Sequence, residues 1–370
     1  MVSRRMNAPV MNAQIAHLPV YIPGKPIEEV AREHGLAAGD IIKLASNENP
    51  LGPSPKSLAA MERVLRNLHL YPDGNAFYLK RQLAQTLSLD SSQLILGNGS
   101  NEIIEFVGHA FLNPDVEVVV SEYCFAVYPI VTALFGARLV TVPAHQFGAD
   151  IPAMIRAITP RTRVLFLANP NNPTGTLTPT ADIVRLLAEV PRQVLIVMDE
   201  AYVEFLENPA DCLSLIRQNS QPNLLLMRTF SKIYGLAGLR LGYGVGPAPL
   251  ISALEKIRQP FNINSIAQAG ALAALEDSEH IARTRTNNRS GLDFFQNAFV
   301  RMGIEYIPSH ANFVLARVGD GARVFAQLQQ LGIITRPMGS YNLGEWLRIS
   351  VGTAEENQRC LDGLRRVLAR

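Results

Sequence analysis

Short apolar runs alternate with helix-patterned segments along the chain from about Asp90 to Gly246. The runs are nearly continuous in valine, isoleucine and leucine, which is typical of strands covered on both faces, as in a parallel sheet flanked by helices. After the first run, apolar residues between Ile103 and Phe111 recur at helical spacing. The strands predicted in this region span residues 93–96, 116–120, 138–142, 164–168, 194–198 and 223–227.

The pattern changes after about Phe261. A helix is predicted from Ser265, and a last helix opens at Thr353, whose spacing from Glu356 fits a capping box. Between them we predict a helix and four strands, at residues 323–331, 304–307, 313–318, 333–336 and 346–351. We therefore expect an α/β fold: a large domain at 46–264 with a mostly parallel sheet flanked by helices, and a smaller α+β domain at 265–370. Residues 1–45 are expected to form an arm that packs on the smaller domain.

Composition argues against several classes of protein. The chain has 370 residues with 34 basic and 32 acidic side chains, so its net charge of +2 gives no support to a nucleic-acid partner. Its apolar runs are strand-sized and polar residues interrupt the N-terminal segment, so neither a membrane span nor a signal peptide is expected. Three cysteines and seven histidines are scattered, which predicts free thiols, a cytoplasmic location and no metal site.

Polar residues follow four predicted strands, at the sheet edge where open α/β folds bind ligands. The first strand runs into Gly97-Asn98-Gly99-Ser100-Asn101 at the start of a helix, where backbone amides suit a phosphate. An ordinary strand-to-helix turn explains the same residues. The 164–168 strand runs into a turn stiffened by Pro170, Pro173 and Gly175, which would aim the Asn172 amide at a fixed point. Ordinary loop punctuation is the alternative there.

The other two strands deliver charged groups. Asp199 and Tyr202 follow the 194–198 strand, and a carboxylate there is stable if a cation such as a protonated ring nitrogen meets it. Capping of a following helix would explain Asp199 equally well. The 223–227 strand leads to Ser231, Lys232 and Arg240, which supply an amine able to form a Schiff base and a guanidinium suited to phosphate. Pyridoxal phosphate needs these groups together, although each cation alone fits a solvated surface residue.

At these residues the sequence resembles the fold-type I pyridoxal-phosphate aminotransferases, and specifically the histidinol-phosphate aminotransferase family. The resemblance rests on segments in a fixed order: NNPTG at 171–175, DEAY at 199–202, TFSK at 229–232, GLAGLRLGY at 235–243 and WLRISVG at 346–352. It extends from residue 21 to the final helix, which is nearly the whole chain.

The resemblance implies a role for each residue toward pyridoxal 5′-phosphate. Lys232 would bind the cofactor covalently and serve as the catalytic base, and Asp199 would pair with the ring nitrogen. Asn172 and Tyr202 would contact the phenolic oxygen of the ring. The phosphate would be held by Gly99, Ser100, Asn101, Ser231 and Arg240, joined by Tyr71 from the neighbouring subunit of a homodimer. Asn101 departs from the family pattern, which has an aspartate after Gly-Ser.

The remaining roles concern the ring face and the substrate. Phe125 would stack on the ring, with the nearby Tyr123 as the alternative, and Tyr21, Arg336 and Arg348 would bind the substrate's acidic groups. The partners would be a small amino donor and a 2-oxo acid. The implied reaction transfers the amino group of L-histidinol phosphate to 2-oxoglutarate, giving imidazole acetol phosphate and L-glutamate in histidine biosynthesis.

Three other activities share parts of this pattern. An aromatic amino-acid aminotransferase, acting on phenylalanine or tyrosine, has the same core, and paired arginines accept carboxylates as readily as phosphates. A decarboxylase of the threonine-phosphate type would have a similar cofactor site. A regulator built on an aminotransferase-like domain would need an attached DNA-binding domain, for which the fold leaves no room in this chain.

Overall fold

The computed structural model describes residues 10–16, 18 and 24–369. Strands β1 to β13 are, in chain order, Ile42–Lys43, Leu94–Gly97, Glu117–Ser121, Arg138–Val142, Thr162–Ala168, Leu195–Asp199, Leu224–Thr229, Gly242–Val245, Tyr306–Ile307, Phe313–Arg317, Ile333–Ile334, Arg336–Met338 and Leu343–Ser350. Helices α1 to α13 are Ile27–His34, Pro55–Val64, Phe77–Leu87, Ser100–Phe111, Val127–Leu134, Ile151–Arg156, Thr180–Glu189, Cys212–Arg217, Ala248–Glu255, Ser265–Leu275, Ser278–Met302, Gly321–Gln330 and Ala354–Leu368.

The larger sheet has the order β2-β8-β7-β6-β5-β3-β4. Strands β3 to β7 run parallel to one another, as the apolar pattern predicts, and β8 is antiparallel to both β7 and β2. The continuous apolar runs arise because successive side chains point to opposite faces, both of which are buried. In β5, for example, Val164 and Phe166 belong to one core, whereas Leu165 and Leu167 belong to the core on the other face.

Strand β8 is missing from the sequence prediction, which treated residues 235–244 as a glycine-spaced turn. Gly242 and Gly244 dilute the apolar pattern of this strand, and both are required by close packing. A Cβ at Gly242 would overlap the backbone of Ser100, and one at Gly244 would lie 2.9 Å from a methyl group of Ile95. The glycines therefore let helix α4 and strand β2 approach the sheet at its antiparallel edge.

The smaller sheet has the order β12-β13-β10-β9 and is antiparallel. The predicted 333–336 strand is in fact two strands with different partners, since β11 pairs in parallel with β1 and β12 pairs with β13. Helices α11, α12 and α13 cover this sheet with a core that includes Phe295, Phe299, Leu328 and Leu364. The predicted capping box is confirmed, because Thr353 caps α13.

The packing of two segments bears on the division into domains. The pairing of β1 with β11 forms a separate two-stranded sheet, which joins residues 42–43 to the C-terminal part of the chain just before β12. Helix α10, which the prediction assigns to the smaller domain, contributes Ala267, Ala271 and Ala274 to a core of the larger sheet. The boundaries at 45 and 264 themselves stay a prediction.

Among the described residues, no helix combines the length and the apolar character that a membrane span needs.

Candidate active site

A cavity of about 410 Å³ is lined by the carboxyl ends of β5, β6 and β7, the start of α4, and strands β12 and β13. The cavity therefore lies at the edge of the larger sheet where the parallel strands have their carboxyl ends. Polar residues can follow the strands at this edge, because the chain leaves the apolar core there. The cavity brings together these predicted residues: Ser100, Asn101, Phe125, Asn172, Asp199, Tyr202, Ser231, Lys232, Arg240, Arg336 and Arg348. In the described part of the chain, no group of three or more His, Cys, Asp or Glu side chains is placed to hold a metal ion.

Two predicted residues lie outside the cavity lining, and a third lies outside the described residues. Gly99 packs against the guanidinium of Arg240, which a Cβ at this position would overlap. Tyr71 lies outside the lining of this chain's cavity, where its side chain is 83% exposed and its ring stacks on Phe261 with centroids 4.8 Å apart. Tyr21 lies outside the described residues, so its predicted substrate contact stays a prediction.

Lys232 places an amine with a lowered pKa in the cavity. It follows the fully buried Phe230 at the end of β7, and its Nζ donates to the backbone oxygen of Ser46 at 3.2 Å. Burial, followed by the positive charge of Arg348, lowers the pKa of Lys232 to about 8, although Glu48 opposes the shift. About a tenth of this amine is therefore neutral at pH 7 and about half at pH 8, and a neutral amine is both a nucleophile and a base.

Asp199 is a buried carboxyl group at the end of β6. Its oxygens accept hydrogen bonds from the Tyr128 hydroxyl at 2.7 Å and from the Ala201 N–H at 3.1 Å. Burial nevertheless raises the pKa of Asp199 above its ordinary value. A cation on the cavity side would favour the charged form. The helix-cap explanation is wrong, because the next α-helix begins at Cys212 and is capped by Asp211.

An anion cradle forms where α4 meets the turn before β8. Helix α4 points its N-terminal amides at the cavity from Ser100, and Arg240 adopts a left-handed backbone conformation with φ of 57°. The Arg240 guanidinium donates to the Ala237 oxygen at 3.0 Å and lies 3.5 Å from the Ser231 hydroxyl. A Cβ at Gly99 would overlap this guanidinium, so the cradle requires glycine there. A helix N-terminus, an arginine and two hydroxyls are the groups that bind phosphate.

Arg336 and Arg348 form the opposite side of the cavity. They are directly paired across β12 and β13, which places both side chains on one face of the sheet, and both line the cavity. The Arg348 guanidinium donates to the Asn172 side-chain oxygen at 2.6 Å and to the Ala45 backbone oxygen at 2.9 Å. Since the Asn172 oxygen is thus engaged, its amide nitrogen is left to donate. Like charges opposite each other repel, so an anion between the arginines would stabilise the pair.

Two contacts of the site were not found in the sequence. Tyr128 supports Asp199, and Asn47, which is 1% exposed, donates to the Tyr202 hydroxyl oxygen at 2.9 Å. The polar run Ser46-Asn47-Glu48-Asn49 after an apolar segment is the one local signal of this contact in the sequence. The partner of Asn47 is 155 positions away, so the chain gave no direct sign of the contact.

The two candidates for the ring face occupy different surroundings. Phe125 lines the cavity. Tyr123 instead stacks on Phe147, with centroids 5.8 Å apart, and its backbone oxygen accepts a hydrogen bond from Asn171 at 2.7 Å. The geometry therefore favours Phe125 as the stacking residue, a role that stays a prediction.

Comparisons with known proteins agree with this geometry. Residues 39–364 match the model of the family described as aminotransferase class I and II. The chain is 49% identical to the histidinol-phosphate aminotransferase of Akkermansia muciniphila over 96% of this chain and 98% of that protein. It is 50% identical to histidinol-phosphate aminotransferase 1 of Thiobacillus denitrificans over 94% of this chain and 91% of that protein.

A solved structure extends the likeness to the fold. The histidinol-phosphate aminotransferase of Sinorhizobium meliloti, in complex with pyridoxal 5′-phosphate, superposes with a TM-score of 0.88 at 28% identity, covering 100% of this chain and 98% of that chain. The predicted fold class, the fold of type I pyridoxal-phosphate aminotransferases, is thereby confirmed. The predicted cofactor is confirmed with it. The chain belongs to the class I and II aminotransferases and, within them, to the histidinol-phosphate aminotransferase family.

Proposed function

We propose that this pyridoxal-phosphate-dependent enzyme transfers the amino group of L-histidinol phosphate to 2-oxoglutarate, giving imidazole acetol phosphate and L-glutamate in histidine biosynthesis. The observation that carries the choice of substrate is the 49% identity with a histidinol-phosphate aminotransferase over nearly the whole chain, and the paired placement of Arg336 and Arg348 on one cavity wall agrees with it. Two guanidinium groups side by side suit a phosphate ester, and they suit the far carboxylate of 2-oxoglutarate in the second half of the reaction.

The residues on the other side of the cavity fit the cofactor. Gly99, Ser100, Ser231 and Arg240 supply the anion cradle that its phosphate needs, and the cradle has no room for a side chain at Gly99. Asp199 is a buried carboxyl whose charged form calls for a cation, which a protonated ring nitrogen would be. When bound, pyridoxal phosphate supplies an aldehyde that captures amines and a ring that accepts electrons.

Lys232 would act twice in the reaction. Its neutral amine would hold the cofactor covalently between turnovers. During turnover the same Nζ would act as the base that accepts the proton of the substrate Cα and as the acid that returns a proton. The lowered pKa of Lys232, about 8, suits an amine that must both accept and return a proton near neutral pH.

The groups around Lys232 would hold the reacting atoms in place. Asp199 would keep the ring nitrogen protonated, and the Asn172 amide nitrogen and the Tyr202 hydroxyl would donate to the phenolic oxygen. Phe125 would cover the ring face. Arg348 ties these groups to the substrate side, because the same guanidinium lines the cavity and donates to Asn172. Tyr21 and Arg336 would complete the contacts to the substrate.

A donor panel tests the substrate. The kcat/KM of the purified enzyme for L-histidinol phosphate is expected to exceed clearly its kcat/KM for phenylalanine and tyrosine, with 2-oxoglutarate as acceptor. If the aromatic amino acids are used equally well, the enzyme is an aromatic aminotransferase. Carbon dioxide release from a phosphorylated amino acid without any oxo acceptor would instead identify a decarboxylase.

We also propose a homodimer in which Tyr71 of each subunit completes the anion cradle of the other. Support comes from exposed apolar side chains close to Tyr71 along the chain, namely Leu68, Leu70, Phe77 and Tyr78, and from the exposed Phe261, on which the Tyr71 ring stacks. Exposed apolar side chains at this density are typical of a surface that another protein covers.

Mixed dimers test this arrangement. Lys232→Ala and Tyr71→Ala subunits are each expected to be nearly inactive, but a mixed dimer would contain one intact site and regain activity. Mixed dimers that form without regaining activity would place Tyr71 in its own subunit's site or outside any site.

A cytoplasmic location is part of the proposal too, supported by the free thiols of Cys124, Cys212 and Cys360.

A further inference from the structure

A directional chain of hydrogen bonds ends on Tyr202. The backbone N–H of Asn47 donates to the Ser350 hydroxyl oxygen at 2.9 Å, so the proton of that hydroxyl is available for another partner. Ser350 Oγ lies 2.9 Å from the Asn47 side-chain oxygen, which can only accept, so the serine proton goes there. The Asn47 amide is thereby oriented with its nitrogen toward Tyr202, where it donates to the hydroxyl oxygen at 2.9 Å.

This orientation decides what Tyr202 can do. Its oxygen is an acceptor for Asn47, and a phenol hydroxyl has a single proton, so that proton is left to donate into the cavity that Tyr202 lines. Burial raises the pKa of Tyr202 to about 12, so the hydroxyl keeps its proton at neutral pH. Asn47, Tyr202 and Ser350 are 1%, 3% and 3% exposed, so water does not compete freely for these bonds.

We infer that Asn47 is a positioning residue, which holds the Tyr202 hydroxyl as a donor toward the phenolic oxygen of the cofactor and takes its own orientation from Ser350 on β13. The inference rests on the proposed function, which places Tyr202 at that oxygen. It links the smaller sheet to the electronic state of the cofactor, since β13 also carries the substrate arginine Arg348. Asn312, which precedes β10, fastens the same junction by donating to the Asn47 backbone oxygen at 3.0 Å.

The test reverses the direction of the hydrogen bond between the Asn47 side chain and the Tyr202 hydroxyl. An Asn47→Asp side chain offers only acceptors when ionised, so the Tyr202 proton would turn to it and away from the cofactor. A donor to the phenolic oxygen stabilises the deprotonated form of the cofactor-bound protein. We therefore expect the pH midpoint of the cofactor's visible absorption change to rise by about 1 to 2 pH units, and the dissociation constant for pyridoxal phosphate to rise about tenfold.

A Tyr202→Phe background separates orientation from the negative charge that Asn47→Asp adds. Tyr202→Phe alone is expected to raise the midpoint, and Asn47→Asp is expected to add little to it, because the bond it reverses is already absent. Asn312→Ala is the matched control, since it removes an amide from the same junction without touching the Tyr202 bond. It is expected to lower the melting temperature and leave the midpoint in place. Asn47→Ala serves as the second variant if the Asn47→Asp protein does not fold, with a smaller rise expected.

The outcomes distinguish the inference from the function on which it rests. If Tyr202→Phe leaves the midpoint unchanged, Tyr202 does not donate to the cofactor, and that part of the proposed function fails together with the inference. If Tyr202→Phe raises the midpoint but the Asn47 variants do not, Asn47 is structural only. An Asn47→Asp shift that persists in full in the Tyr202→Phe background would overturn the inference as well, because it would come from charge alone.

Discussion

The two walls of the active cavity are built in different ways. The cofactor wall, made of Ser100, Asp199, Ser231, Lys232 and Arg240, lies at one edge of the larger sheet, where its residues end a strand, follow one or, for Arg240, precede the antiparallel strand β8. The substrate wall, made of Arg336 and Arg348, lies on the face of two antiparallel strands of the smaller sheet. Groups that follow parallel strands meet because all the strands end at one edge, whereas the arginines meet only because their strands are paired in one register.

This difference separates reaction type from substrate choice. The cofactor wall supplies an amine, a carboxyl and an anion cradle, which together suit transamination of many substrates. The substrate wall adds only positive charge, and it selects among donors by the acidic group they carry. Changes to the cofactor wall are therefore expected to abolish the reaction, and changes to the substrate wall to alter which molecules react.

The largest effect is expected for Lys232→Ala, because it removes the covalent anchor and the base together. Turnover should fall about 10³-fold or more, while the protein still folds and binds the cofactor weakly. Single-turnover absorbance measures the reaction rate, and circular dichroism measures folding and cofactor binding. Lys256→Ala, which changes an exposed lysine after α9, is the control and should keep full activity. Near-normal turnover of the Lys232 variant would refute its role.

Asp199→Ala tests the second member of the cofactor wall. Without the carboxylate the ring nitrogen loses its partner, so we expect kcat to fall about 10²- to 10³-fold and the cofactor to dissociate more readily. Asp199→Asn keeps the size of the side chain and a hydrogen bond with Tyr128 but lacks the charge, and it should lose nearly as much. If Asp199→Asn keeps wild-type kinetics, the charge of Asp199 is not required.

The substrate wall is tested by Arg336→Ala. The kcat/KM for L-histidinol phosphate and for 2-oxoglutarate should fall about 10- to 100-fold, the size of one charge-assisted hydrogen bond to an anion. With pyruvate, which lacks the far carboxylate, the fall in the second half-reaction should be small. Arg317→Ala, on strand β10 of the same sheet and with a side chain that is 46% exposed, is the matched control. If kcat/KM falls equally for pyruvate and for 2-oxoglutarate, Arg336 does not bind the far carboxylate.

The two walls also communicate through charge, which a pH titration can measure. Because the pKa of Lys232 is lowered to about 8, the rate of pyridoxal phosphate capture by the cofactor-free protein should rise about tenfold per pH unit below pH 8 and level off above it. The sign follows from the amine, which reacts only after losing its proton. Arg348→Ala removes a positive neighbour, so the levelling point should move to higher pH. A shift to lower pH would contradict the assigned cause.

The smallest effect is expected away from both walls. Thr353 accepts a hydrogen bond from the Glu356 N–H at 3.3 Å, and Glu356 accepts one from the Thr353 N–H at 2.7 Å, which completes the cap of α13. Thr353→Ala should lower the free energy of unfolding by about 1 kcal/mol, measured by urea denaturation. The kcat should be unchanged. A large loss of activity would mean that this helix supports the substrate wall.

The sequence predicted the cofactor wall better than the substrate wall, for a physical reason. A polar group directly after a buried apolar run is a local pattern, so Asp199 and Lys232 could be found without knowing the fold. The pairing of Arg336 with Arg348 depends on strand register, which a local pattern does not reveal. The sequence predicted a single strand at 333–336, whereas the chain forms β11, which pairs with β1, and then β12, which pairs with β13. Asn47 was missed because its contacts join segments that are distant along the chain.

The same reasoning explains the errors in the fold. Strands β3, β5, β6 and β7 were predictable because they are buried on both faces and therefore largely apolar. Strand β4, at the edge of the sheet, is only partly buried, but its run of Leu139 and Val140 still marked it. Strand β8 was missed because packing against α4 and β2 demands glycine at 242 and 244, and glycine weakens a strand pattern. The domain boundaries stay a prediction, with α10 packed on the larger sheet.

The central claim is that the amine of Lys232 carries the chemistry of the cofactor wall. Borohydride reduction of the protein loaded with pyridoxal phosphate, followed by peptide mass spectrometry, tests it most directly. The account predicts one stable adduct per chain, on the peptide that contains Lys232, and its loss in Lys232→Ala. An adduct on another lysine, or none at all, would contradict it.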